Sequence, residues 1–287
     1  MFVTISWGLS FPLSKFVFEG YSPQFSVVIR FLITIVLFVV FCFNKLKTIQ
    51  KRDYYYGLIL SSFLYIGFIT QTVGLVYTSA STSAFITGAY IVLLPFAQYF
   101  IVRKLPTKIN ILAILIVTAG MALLTGVHEL RGNIGDLLTI ICAAAFAMHI
   151  VFIDLYTNEK KADFHSLVFG QFTGAAVLCL ISTFIFEWSP DKFLFQPTFS
   201  STISLLINSI FSTFMGIFLI NKYQKYTTPV RAGLIYSMEQ VFAVIFSFIL
   251  LSESLSFIQI IGACIMLTGF ILTELIKPKN EAIRNNG

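Results

Sequence analysis

The chain has 287 residues, 57% hydrophobic and only 11% charged, with a formal net charge of +6 and a mean hydropathy of +0.88. A soluble domain carries about 25% charged residues, so these figures exclude one and point to an all-α integral membrane protein. Nor does the basic balance point to nucleic acid, because Lys and Arg sit in short connections between apolar runs and gather on no domain face.

A helix needs about 20 apolar residues to cross a bilayer. That rule predicts ten transmembrane helices, over 2–18, 24–43, 54–76, 80–102, 107–126, 134–156, 164–187, 199–220, 229–251 and 257–276. The opening MFVTISWGLSFPLSK has no cationic leader and no small-residue cleavage site, so it reads as the first span and not as a cleaved signal peptide. Between spans lie turn formers: YSP at 21–23, a polar stretch at 44–53, LPT at 105–107, ELRGN at 129–133, SPDK at 189–192 and TTP at 227–229. Thr107 and Ser256 stand at N-cap positions, and Gln259 completes a capping box with Ser256.

Orientation follows from the distribution of Lys and Arg over alternate loops. One side holds Lys45, Lys47, Lys51, Arg52, Arg103, Lys104, Lys108, Lys160, Lys161, Lys222, Lys225, Lys277, Lys279 and Arg284, the other only Arg131 and Lys192. Both termini are therefore expected in the cytoplasm, with the chain multi-pass in its membrane. Cys42, Cys142, Cys179 and Cys264 each lie alone in an apolar stretch and read as packing residues.

The chain repeats itself. A shift of 149 lays Tyr77 and Thr78 on Tyr226 and Thr227, Ile86 on Ile235, Thr107 on Ser256, Asn110 on Gln259 and Gly120 on Gly269. Earlier the shift is 139, laying WGLSF at 7–11 on FAMHI at 146–150. The units are 1–126 and 134–276, followed by a short cytoplasmic tail at 277–287. Five spans each is an odd number, so the copies enter the membrane with opposite polarity, as two inverted five-helix repeats. Many secondary transporters have that plan, with the solute site near the midplane between repeats. Ala80, Ala84 and Gly88, matched by Gly233 and Ser237, form small-residue stripes that let backbones approach. Gly170 and Gly174 offer another such face, for a neighbouring span or a second protomer.

Polar residues within spans are the candidates for a site. Glu239 falls about ten residues into the ninth span, roughly 15 Å deep. A carboxylate at mid-bilayer facing lipid costs about 2.5–3.5 kcal/mol, so it faces protein or water. It is a cavity carboxylate that binds a cationic group or carries a proton, or else a structural hydrogen-bond partner. Arg30 could clamp a carboxylate, snorkel outward or fix a helix pair. His149 could serve a proton relay or simply be hydrogen-bonded. Trp7, Tyr90 and Tyr236 offer aromatic walls with polar tips, while Gln71 and Gln240 offer donors and acceptors; Tyr90 aligns with Glu239 under the 149 shift. Lys15, Tyr77, Asp154 and Arg231 read as gate or boundary residues, Arg231 snorkelling to the cytoplasmic face.

WGLSFPLSK, Arg30-Phe31, GFITQTVGLVYTSASTSAFITGAYIVLLP at 67–95 and the second-half YTTPVRAGLIYSMEQVFAVIFSFILLSESLSFIQIIGACIMLTGF resemble the EamA-type transporters of the drug/metabolite transporter superfamily, over nearly the whole chain and as two tandem EamA-like copies. The resemblance implies a ten-helix inner-membrane permease, often an exporter of amino acids or other small metabolites, working by alternating access. Two features depart from the pattern: fewer apolar residues precede Trp7-Gly8 than is usual, and the Glu-Pro often seen in the second half is Glu239-Gln240 here, which removes a kinking proline. The partners expected are a small-molecule solute and the lipid bilayer, without nucleic acid, as a monomer or a homodimer. No cofactor, metal or catalytic residue is expected. The sequence has no GxxxxGK[ST] phosphate loop, HExxH or GxSxG, and its histidines are scattered at 128, 149 and 165. The alternatives are an intramembrane enzyme, or a membrane scaffold or receptor without transport.

Overall fold

A computed structural model of the chain describes residues 1–125, 132–191 and 193–275, the side chains of 125 and 274 excepted. His128, Arg131, Lys192, Lys277, Lys279, Arg284 and the tail 277–287 lie outside the described residues. The described part is helical. Its elements are α1 (Phe2–Val17), α2 (Pro23–Leu46), α3 (Lys51–Tyr77), α4 (Ala80–Gly88), α5 (Tyr90–Val102), α6 (Lys108–Thr125), α7 (Ile134–Asp154), α8 (Phe164–Phe186), α9 (Phe199–Ile207), α10 (Gly216–Tyr223), α11 (Pro229–Tyr236), α12 (Glu239–Leu251) and α13 (Phe257–Leu275).

Local chemistry places the starts. Pro23 begins α2, where its missing N–H goes unused. The side chains of Ser79, Asn133, Asp163 and Thr228 each accept a hydrogen bond from the backbone N–H three residues on, at the starts of α4, α7, α8 and α11. Thr198 and Ser201 close a capping box at α9.

Seven helical stretches are long and apolar enough to cross a membrane: Pro23–Leu46, Lys51–Tyr77, Ala80–Val102, Ile134–Glu159, Phe164–Phe186, Phe199–Tyr226 and Pro229–Leu251. The described helices α1, α6 and α13 are shorter. Large apolar side chains such as Val40, Phe41, Phe100, Leu115, Phe184 and Ile249 are exposed, a surface suited to hydrocarbon. The chain is a multi-pass membrane protein.

Several expected spans depart from plain α-helix. The stretches 80–102 and 229–251 are broken, at Ala89 and at Ser237–Met238. No proline is responsible. The N–H groups of Ala89 and Met238 bond three residues back, to Ile86 O at 3.1 Å and Ile235 O at 3.2 Å, tightening one turn and starting a new helix. Glu239 is thus the first residue of α12, and not a mid-helix residue. The two breaks, like the left-handed caps at Arg103 and Ser252 (φ 54° and 56°), lie 149 residues apart in sequence. Within the stretch 199–220 the segment Asn208–Met215 is π-helical, and α7 runs on into a π turn at Leu155–Glu159.

Packing follows the small residues. The helix α3 lies against α7 and α8, α1 against α12, α2 against α8, and α6 along α13. A Cβ on Gly170 would stand 2.3 Å from Tyr54 O, and one on Gly174 2.3 Å from Ser61 Oγ, so this pair serves the contact with α3 of the same chain. The broken helices meet near their breaks: Gly88 lies under the Gln240 side chain and Gly233 under Leu94.

Helix ends sort into two groups. At one end Gln50 N donates to Ser166 Oγ, Asp163 N to Asp53 Oδ2, and Lys104 pairs with Glu159 at 2.6 Å. At the other, Glu187 accepts the N–H groups of Gln24 and Phe25 at the start of α2, Asn133 donates to Tyr77 O, and Ser81 hydrogen-bonds Glu253.

Candidate functional site

A cavity of about 50 Å³ lies inside the bundle, room for a few water molecules. Its lining is drawn from α1, α2, α3, α5, α7, α10 and α12. The polar members are Trp7, Ser10, Arg30, Gln71, Tyr90, His149 and Glu239, set among apolar walls from Phe11, Leu64, Phe68, Phe146, Ile150, Ile217 and Ile220. Six of the residues singled out in the sequence therefore meet here, although they are spread from position 7 to 239.

Arg30 is 5% exposed, so it does not snorkel to a membrane face. Its Nε donates to Thr213 Oγ1 at 3.0 Å, and the guanidinium lies over the Phe68 ring, 5.0 Å from the centroid. Thr213 passes its own proton to Asn208 O at 3.1 Å, a bond within the π-helical stretch. The same stretch presents Ser212 O to Trp7 Nε1 at 2.9 Å, while Ser212 Oγ donates to Ser6 O at 2.7 Å. A wide turn thus holds two cavity residues by groups that a regular helix would direct elsewhere.

Glu239 is 4% exposed. Its Oε1 accepts from Gln240 Nε2 at 3.0 Å. Among the described residues neither Arg30 nor Glu239 is in an ion pair. A guanidinium and a carboxyl group thus line one cavity with no ion pair to each other or to any described residue, and a buried group that takes up charge without a partner is expensive. The Tyr90 hydroxyl and the Gln240 amide oxygen are also buried, the hydroxyl beside the Gln240 side chain. Gln71 donates to Thr87 Oγ1 at 3.2 Å.

His149 Nε2 lies 2.9 Å from Gln171 Oε1, and Gln171 Nε2 donates to Asn221 Oδ1 at 2.8 Å. Gln171, Asn221, Ser10 and Thr213 had no place in the sequence reading. Gln171 and Asn221 are amides inside apolar spans and could have been found by that signal alone. Thr213 had none, because its role depends on the π-helical register.

Tyr236 and Gln240 do not line the cavity. Tyr236 packs its ring edge-on to Trp7, 5.5 Å between centroids, and donates to Gln224 Oε1 at 3.4 Å. Gln240 supports Glu239 from behind. Of the gate candidates, Lys15 donates from Nζ to Leu75 O at 2.6 Å and Thr78 O at 2.7 Å, covering the last carbonyls of α3. Tyr77 is exposed, and Asp154 is buried and accepts from Asn158 Nδ2 at 2.7 Å. Arg231 is buried, 6% exposed, and does not reach out to the surface as snorkelling would require.

Comparison with known proteins covers the same ground independently. The EamA-like transporter family matches residues 1–126 and again 133–275. An uncharacterized transporter of Archaeoglobus fulgidus is 31% identical over 273 residues, 95% of this chain and 83% of the relative. The uncharacterized transporter YetK of Bacillus subtilis (strain 168) is 25% identical over 292 residues, 96% of this chain and 85% of the relative. One crystal structure superposes with a TM-score of 0.74 at 14% identity, covering 96% of this chain and 94% of its own, a likeness of fold alone.

Proposed function

Because the chain belongs to the EamA-like transporter family of the drug/metabolite transporter superfamily and is a membrane transporter, we propose that it is a secondary transporter, an exporter of small zwitterionic metabolites such as amino acids, working by alternating access in a cell inner membrane. The observation that carries the proposal is that Arg30 and Glu239, groups able to bear opposite charges, line one cavity with no ion pair to each other or to any described residue. A solute with a carboxylate and an ammonium group would neutralise both at once. An apolar solute would leave both charges buried and unpaired, and a simple cation or anion would leave one. The apolar walls suit a hydrocarbon side chain.

A cavity of about 50 Å³ is too small for such a solute, which fits a contracted state that must widen to load. The same reading includes ten spans in two inverted five-helix units, with α1, α6 and α13 crossing the membrane and both termini in the cytoplasm. It is supported by the breaks and caps repeated at an interval of 149 residues and by the two groups of helix ends. Such transporters bind solute where discontinuous helices meet at the repeat interface, and Glu239 and Tyr90 each begin the second half of a broken helix.

The test is comparative profiling of metabolites inside and outside bacterial cells expressing the wild type or Glu239→Gln at matched membrane levels. A zwitterion moved by the wild type and not by the variant is the expected result. Equal export by both proteins would remove Glu239 from the mechanism.

A further inference from the structure

The hydrogen bonds around His149 determine which of its ring nitrogens carries the proton. His149, Gln171 and Asn221 are 2%, 0% and 1% exposed and come from α7, α8 and α10. Each amide is oriented by a backbone carbonyl, which can only accept. Asn221 Nδ2 donates to Ile217 O at 2.8 Å and, at 3.4 Å, to Gln171 Oε1, which leaves Oδ1 to accept from Gln171. Gln171 Nε2 donates to that Oδ1 at 2.8 Å and to Leu167 O at 3.3 Å, so Oε1 is turned to His149. Reversing either amide would set oxygen against a carbonyl oxygen. The nitrogen facing Gln171 Oε1 at 2.9 Å, Nε2, must therefore be the donor.

We propose that Gln171 and Asn221 are positioning residues that hold His149 as its Nε2–H tautomer, so that the ring brings the cavity an unprotonated Nδ1 able to accept an N–H from the solute. Nδ1 has no hydrogen bond to any described residue, and the ring lines the cavity together with Glu239. The recognition half of the proposal rests on reading the cavity as the solute site. A carboxylate and a lone pair lining the same cavity select a cationic nitrogen that still carries protons. Primary and secondary ammonium groups meet both requirements, and a quaternary ammonium meets only the first. Chains of such second partners fix histidine tautomers generally. Here the chain is made of amides, which have no charge to lose.

The test is ¹⁵N NMR of the full chain in lipid nanodiscs, with labelled histidine, His128→Gln and His165→Gln leaving His149 as the only resonance. At about pH 8 a free imidazole is neutral, and the expected spectrum shows a protonated Nε2 and an unprotonated Nδ1, the other tautomer at about one tenth or less. Gln171→Leu is expected to bring the two tautomers to comparable populations, and Asn221→Leu, which removes one of the two acceptors that orient the Gln171 amide, to shift them in the same direction. A parent spectrum with Nδ1 protonated, or with an even mixture, overturns the proposal. So does a Gln171→Leu spectrum identical to the parent. Should Gln171→Leu not fold, the parent and Asn221→Leu spectra still decide. Failure of the metabolite export assay would sink the transport reading without altering the tautomer result.

Discussion

Gly8→Ala probes the contact between α1 and α12 where Glu239 begins. A Cβ on Gly8 would lie 2.5 Å from Phe242 Cβ, 2.7 Å from Glu239 O and 2.8 Å from Ala243 N. Ordinary contact starts at 3.4 Å, so the helices fall roughly 0.6 to 0.9 Å short of room for a methyl group. Two of the three atoms are helix backbone and cannot swing aside, so α1 and α12 must part. Overpacking of this kind costs about 1–3 kcal/mol. Because the Glu239 carbonyl is one of the atoms displaced, the carboxylate in the cavity moves too. Gly262→Ala is the matched comparison. Its Cβ would stand 2.3 Å from Leu124 N and 2.6 Å from Gly120 O, in the contact of α13 with α6, and neither glycine lines the cavity. Thermal unfolding of the purified proteins, with export measured per folded molecule, separates the two. Both variants should melt several degrees below wild type, and only Gly8→Ala should lose export. Wild-type melting of Gly8→Ala, or a loss of export confined to Gly262→Ala, would refute the reasoning.

Thr213→Val removes the acceptor for Arg30 Nε. A hydrogen bond to a charged group contributes about 1.5–3 kcal/mol, so export should fall by about tenfold or more while the protein still inserts, as read by the same metabolite assay. Glu159→Gln breaks the exposed pair with Lys104, whose side chains are 45% and 55% exposed. Such pairs contribute about 0–1 kcal/mol, so melting should stay close to wild type. Glu187 lies just past α8, where burial raises its carboxyl above the ordinary range against the two N–H groups that lower it. A raised folded value means that the folded state binds the proton more tightly, so stability should decline as pH rises from the ordinary glutamate value through the raised one. Melting curves collected from about pH 4 upward should show this slope in wild type and lose it in Glu187→Gln.

The sequence made the membrane class legible because long apolar runs report directly on lipid. It also marked Glu239, Arg30 and His149, since an ionisable group in an apolar span is conspicuous whatever the fold. It misplaced what depends on backbone register. The breaks at Ala89 and Ser237–Met238 have no proline to announce them. They arise where hydrogen bonds shorten to three residues, next to Gly88 and near Gly233, which pack closely against the facing helices. The π-helical Asn208–Met215 carries no sequence mark either, and with it went the roles of Thr213 and Ser212. Arg231 was expected to snorkel because it stands in the first turn of its span, but neighbouring helices bury it. Tyr236 and Gln240 have suitable chemistry at suitable depth, yet helix rotation sets them behind Trp7 and Glu239.

The central claim, that Arg30 and Glu239 grip opposite ends of one zwitterion, is tested most directly with blocked solutes. Proteoliposomes containing wild type, Arg30→Gln or Glu239→Gln would be offered the exported amino acid, its carboxamide and its N-acetyl derivative. Wild type should move the free amino acid and reject both derivatives. Arg30→Gln should narrow the gap between the acid and the carboxamide, and Glu239→Gln that between the amine and the N-acetyl form. Wild-type transport of all three solutes at similar rates, or the same change of preference in both variants, would contradict the account.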